Sequence, residues 1–269
     1  MSFFSKFPEK DEWTDRTRGY QGTSIQVHRA LRRKAVGIYF CLQLLGLPAL
    51  AGFLILCFWT DIRAYWLSQF IFWSKRIALT ETISLRYSNI NMVGDISAPY
   101  LVAGVPTLQQ SFISLLMVLS LLLVSSRLPD AYLPVKYFVR FIAFIQFSAL
   151  FYFFFFDSAY PYSSQTYLLD MVELSAIFLM LLPWFLGLVY LVIIQSAWRY
   201  LLLTGLAATY IVILTPLQYT LHAFILDRGS LLYHPILYFL CSLLPQIMGV
   251  MGLYSWALSW RKESVDSDY

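Results

Sequence analysis

The chain has 269 residues, 59% of them hydrophobic and only 13% charged, with a mean hydropathy of +0.65. A soluble domain carries about 25% charge, so composition excludes a soluble protein and indicates an all-α integral membrane protein; a β-barrel would show short alternating segments in place of continuous apolar runs. The formal net charge of +4 is small and calls for no nucleic acid partner; where the charges fall matters more.

Residues 1–34 form a polar, basic tail without the short apolar core and cleavage site of a secretory signal. Its last part, VHRALRRKAVG, sets Arg29, Arg32, Arg33 and Lys34 directly before the first apolar run. Such a cluster anchors topology at anionic headgroups; docking of a cytoplasmic partner is the other reading. Residues 35–260 form the transmembrane domain and 261–269 a short polar tail.

Within 35–260 the apolar runs predict about six transmembrane helices, at 35–59, 107–126, 135–156, 167–195, 199–225 and 232–260. Between the first two, residues 60–106 predict an interfacial amphipathic helix and a loop on the outer side. Ile62, Trp66, Phe70, Trp73 and Ile77 recur three or four apart, which makes one apolar stripe. The stretch NINMVGDISAPYLVAGVP that follows is turn-rich, with a re-entrant segment as the alternative. No internal repeat is visible, so an inverted-repeat transporter has no positive support.

With the N-terminus inside, the inner segments hold 14 Lys and Arg and the outer ones five: Arg63, Lys75, Arg76, Arg86 and Arg228. That split predicts both termini in the cytoplasm and an inner- or plasma-membrane location.

The fourth run, YLLDMVELSAIFLMLLPWFLGLVYLVIIQ, carries Asp170 and Glu173 three apart, on one helix face and near its outer end. Gln218 and His222 in the fifth run, His234 at the start of the sixth, and Asp227 and Arg228 in the loop between them fall at similar depth. These seven residues make a candidate polar layer. An ionisable group in a span is expected to face the bundle interior or water, and whether the fourth helix packs beside the two histidines is not legible.

Catalytic signatures are missing. No GxSxG, HExxH, P-loop or DxDxDG loop occurs. Cys41, Cys57 and Cys241 lie in or beside apolar runs without ligand spacing, and LILCFWTDIR around Cys57 has no thiol-peptidase signature. No metal or cofactor is expected; haem between His222 and His234 is disfavoured because both lie shallow. FYFFFF at 151–156 reads as an interfacial aromatic belt. Pro48, Pro183, Pro216 and Pro245 bend their helices. Gly205, Ala207, Ala208, Gly249 and Gly252 mark packing seams, and Gln146 and Gln246 are expected to hydrogen-bond between helices.

The leading expectation is a non-enzymatic multi-pass subunit of a larger envelope assembly of the secretion, conjugation or export type, its partners being the bilayer and other membrane subunits. The alternative is a small transporter or ion-coupled permease using Asp170 and Glu173, and the third reading is a membrane enzyme or haem-binding subunit.

Overall fold

The computed structural model describes residues 38–76, 85–90, 94–99, 103–156, 160, 163–191 and 196–259. Met1–Leu42 and Gln43–Tyr269 are separate units. Only the opening of the first helix is described in the first unit, so the basic anchor Arg29, Arg32, Arg33 and Lys34 lies outside the described residues.

The described residues are helical apart from one hairpin and short connecting segments. In order come α1 (Ile38–Cys57), α2 (Trp59–Arg76), β1 (Leu85–Ile90), β2 (Gly94–Pro99), α3 (Leu108–Arg127), α4 (Leu133–Phe156) and α5 (Ser164–Leu186). A π-helical turn, Gly187–Leu191, prolongs α5, and α6 covers Ala197–Gly229. The last span joins a 3-10 turn, α7 (His234–Ile236), a π turn (Leu237–Cys241) and α8 (Leu243–Leu258). Five helical stretches are long and apolar enough to cross a membrane: Leu108–Arg127, Asp130–Phe156, Ser164–Leu191, Ala197–Gly229 and Leu231–Leu258. Taken together, α1 and α2 supply a sixth, broken by a 53° bend. The described residues thus hold five or six helical stretches long and apolar enough to span a membrane, the composition of a helical membrane protein, and the last five expected spans fall within a few residues of these stretches.

Two segments differ from expectation. The stretch read as turn-rich holds β2, which pairs antiparallel with β1 at the end of the segment before it, Leu85 opposite Pro99 and Ile90 opposite Gly94. And α2, expected to lie along a surface, packs lengthwise on α6: Trp66 Nε1 donates to the Val212 carbonyl at 2.9 Å, and Phe70 packs on Tyr219 with ring centroids 4.2 Å apart. Val212 is midway along α6, so α2 shares the depth of the spans. The stripe of Ile62, Trp66 and Phe70 was legible; its counterpart turned out to be protein. Trp66 and Phe70 are buried, and so is Ser74 one turn further on.

The helix starts follow from local chemistry. Thr107 and Gln110 form a reciprocal capping box at α3, Gln110 N–H donating to Thr107 Oγ1 at 3.3 Å and Thr107 N–H to Gln110 Oε1 at 2.9 Å. At α5 the Ser163 hydroxyl accepts from Thr166 N–H. The core then forms where buried residues recur three or four apart: Leu168, Val172, Ser175, Leu179, Leu182 and Leu186 on α5 face Leu203, Ala207, Ile211, Gln218 and His222 on α6.

Prolines leave backbone acceptors open, and side chains of neighbouring helices occupy them. Pro216 has no N–H to return to Val212, four residues earlier; that carbonyl takes the Trp66 indole. The Cys241 carbonyl, at the break before α8, accepts from Gln218 Nε2 at 2.8 Å. The Tyr200 hydroxyl donates to Pro183 O at 2.7 Å and Tyr210 to Pro245 O at 2.9 Å.

At Gly187 an added Cβ would lie 2.5 Å from Cγ of Pro48, whose ring cannot swing aside as a flexible side chain would. Gly187→Ala is expected to push α1 off the end of α5 at a cost of about 1–3 kcal/mol, read as a lower melting temperature in detergent while Gly52→Ala, with open space around it, stays near wild type.

Candidate functional site: a buried histidine–tyrosine–glutamine network

Helix α5 runs away from the end of the bundle that holds Ser163, and α6 returns to that end at Gly229 before the chain turns into α7. Three helices thereby bring Tyr167, His222 and His234 together, all buried. The Tyr167 hydroxyl and His222 Nδ1 are 2.9 Å apart, with the rings nearly parallel at 8°. In the tautomer with its proton on Nε2, His222 accepts from that hydroxyl. Nε2 is buried and makes no well-formed hydrogen bond, although the Cys241 backbone is the polar group beside it. The His234 ring stands edge-on to Tyr167 at 4.3 Å between centroids and 85° between planes, and its Nδ1 is hydrogen-bonded to the Tyr160 hydroxyl. Tyr238 closes the cluster, 6.2 Å from Tyr167 and 6.3 Å from His234.

One turn below His222 the network continues toward the middle of the bundle. Gln218 Nε2 donates to the carbonyls of Cys241 at 2.8 Å and Ser242 at 2.7 Å. Its Oε1 accepts from Gln246 Nε2 at 2.7 Å, which also donates to Ser175 Oγ at 2.7 Å. A single amide group therefore ties α8 to both α5 and α6. Ser175 sends its own proton to Met171 O. A separate pair joins α3 and α4: Gln146 Nε2 donates to Ser114 Oγ at 2.7 Å, in a fully buried contact. Side-chain bonds between spans contribute about 0.6–2 kcal/mol each, since lipid offers no replacement partner.

Of the seven residues of the candidate layer, Gln218, His222 and His234 share this network. Asp227 and Arg228 pair with each other at 3.7 Å, Arg228 exposed, and the Arg228 carbonyl accepts from Gln110. Asp170 is exposed on the outward face of α5 and Glu173 is half-buried beside it; neither reaches the histidines. Tyr160, Tyr167, Tyr238, Ser175 and Gln246 were missing from the candidate layer. For Tyr167 a signal existed: it precedes Leu168 and Met171 on the buried face of α5, one turn before Asp170.

Chemically the described members of the cluster, Tyr160, Tyr167, His222, His234, Gln218 and Gln246, offer hydroxyl, imidazole and amide donors and acceptors. No group of three or more His, Cys, Asp or Glu placed to hold a metal occurs among the described residues. The arrangement suits fixing helices against each other. No family model, curated protein or solved structure matches the chain.

Proposed function

We propose that the protein is a non-enzymatic multi-pass subunit of a larger membrane assembly, of the secretion, conjugation or export kind, set in an inner or plasma membrane with both termini on the cytoplasmic side. One observation carries this reading: Asp170 is turned outward on a spanning helix, among Leu174, Leu181, Phe185 and Leu188, which are also exposed. Asp170 lies about 11 Å and Glu173 about 7 Å from the midpoint of Ser164–Leu191 at ~1.5 Å per residue. Both are inside a hydrocarbon layer of about 30 Å. A carboxylate at that depth costs up to about 3 kcal/mol against lipid, and neither acid has an ion-pair partner among the described residues. A helix of another chain bringing a donor or a cation to this face removes the cost. Inside the bundle Gln146, Gln218 and Gln246 join the protein's own helices, whereas the outward acids have no such role among the described residues.

The test is purification of the tagged protein in mild detergent with mass spectrometry of what accompanies it, in parallel with D170N. Stoichiometric membrane partners are expected, with recovery at least about fivefold lower for D170N, the effect of losing one interhelical bond of ~1 kcal/mol. Recovery of the chain alone, or partners indifferent to D170N, overturns the proposal; a solitary chain with pH-dependent uptake would favour the ion-coupled permease instead.

A further inference from the structure

We propose that the end of α2 holds the phosphate of a lipid headgroup, in a site separate from both the buried network and the outward acids. A groove of about 500 Å³ opens on the side of α2 away from α6, lined among the described residues by Ser68, Ile71, Phe72, Lys75 and Arg76. Its polar rim and its apolar floor are divided along the helix. Ile71 and Phe72 supply hydrocarbon; Lys75 and Arg76 supply two adjacent cations, both exposed. Neither cation has an acidic partner among the described residues. The Arg76 guanidinium is not drifting in solvent, because it lies 5.4 Å over the Phe72 ring, a cation–π contact that fixes the charge at the lip of the groove. Ser68, seven residues before Lys75, lies at acyl-chain depth with its hydroxyl bonded to the Tyr65 carbonyl at 2.7 Å, and takes no part in holding the phosphate.

Depth identifies the ligand. Trp66 hydrogen-bonds to Val212, the middle of α6. From Trp66 to Lys75 and Arg76 is nine and ten residues, about 14–15 Å of helix at ~1.5 Å per residue. That is half the thickness of a hydrocarbon core of about 30 Å, so the two cations arrive at headgroup level while Phe72 and Ile71 remain among the acyl chains. A phosphate ester attached to hydrocarbon satisfies the rim and the floor at once; a free anion satisfies only the rim. The opposite face of α2, with Trp66, Phe70 and Ser74, is buried against the bundle, so the helix is held firmly enough to present a fixed site. Lysine and arginine at the end of a helix also complement its dipole, which keeps them folded in place without a ligand.

The experiment titrates dioleoyl phosphatidylglycerol into the detergent-solubilised full chain and counts bound lipid by native mass spectrometry. Wild type is compared with K75Q/R76Q and with a control that removes two exposed cations elsewhere, R127Q/R140Q. Each charge near a headgroup contributes about fivefold in affinity, so the pair is expected to weaken the first bound lipid by about thirtyfold, with the control unchanged. Equal binding by all three proteins overturns the site. Inorganic phosphate at millimolar concentration is the second arm: failure to displace the lipid supports a headgroup site, and displacement assigns the groove to a soluble anion and overturns the lipid assignment.

Discussion

Trp66→Ala is expected to destabilise the protein by about 3–5 kcal/mol, the range for emptying the site of a large buried aromatic. Trp66 is 1% exposed and sits between α2 and the centre of α6, where its removal leaves both a void and an unpaired Val212 carbonyl. The two effects separate. Trp66→Phe keeps most of the volume and loses only the N–H, an expected cost of about 1 kcal/mol. Pro216→Ala gives Val212 the backbone donor it lacks, so Trp66→Phe should become nearly neutral on that background. Reversible unfolding of wild type, the two single variants and the double variant by dodecyl sulfate titration from a mild detergent reads the cycle. A cost for Trp66→Phe that is the same with and without the Pro216→Ala substitution would show that the indole does not act through this carbonyl.

Gln218→Leu should cost about 2–3 kcal/mol. Leucine is close in volume, so the loss is almost wholly polar: the carbonyls of Cys241 and Ser242 lose their donor and Gln246 loses an acceptor, all in a buried setting. The same unfolding titration measures it. A cost near zero would mean that the bonds to Cys241, Ser242 and Gln246 contribute nothing, contrary to the geometry.

What could be read from the residues and what could not divides along a physical line. Apolar runs of spanning length are a property of one segment, so the last five expected spans fall within a few residues of helices long and apolar enough to cross a membrane. Pairing between segments is a property of two, and there the reading thinned. Ile62, Trp66 and Phe70 announced a stripe, but a stripe specifies only that something apolar covers it; bilayer and α6 are equivalent candidates until the bend after Cys57 is known. The prolines were read as bends. That a proline inside a helix leaves an acceptor four residues back is implicit in the sequence, yet which side chain fills it, Trp66 for Val212, depends on packing. His222, His234 and Gln218 were singled out because polar residues are rare in apolar runs. Tyr167 and Tyr160 were passed over because tyrosine is ordinary at a membrane boundary. Asp170 and Glu173 were expected to face the bundle interior or water; Asp170 is exposed on the outward face of α5 and Glu173 is half-buried.

The bridging amide of Gln246 bears on how the protein is made. Ser175 and Gln218 emerge from the ribosome before it, and while α5 and α6 enter the bilayer neither has the partner that later ties them together. The nascent intermediate thus holds two polar groups at mid-depth that gain their shared partner only when α8 brings Gln246, so the centre of the bundle is locked late in synthesis. Chains arrested before α8 would present those groups to membrane chaperones and proteases, and a substitution at Gln246 would act on cellular abundance as much as on the finished fold.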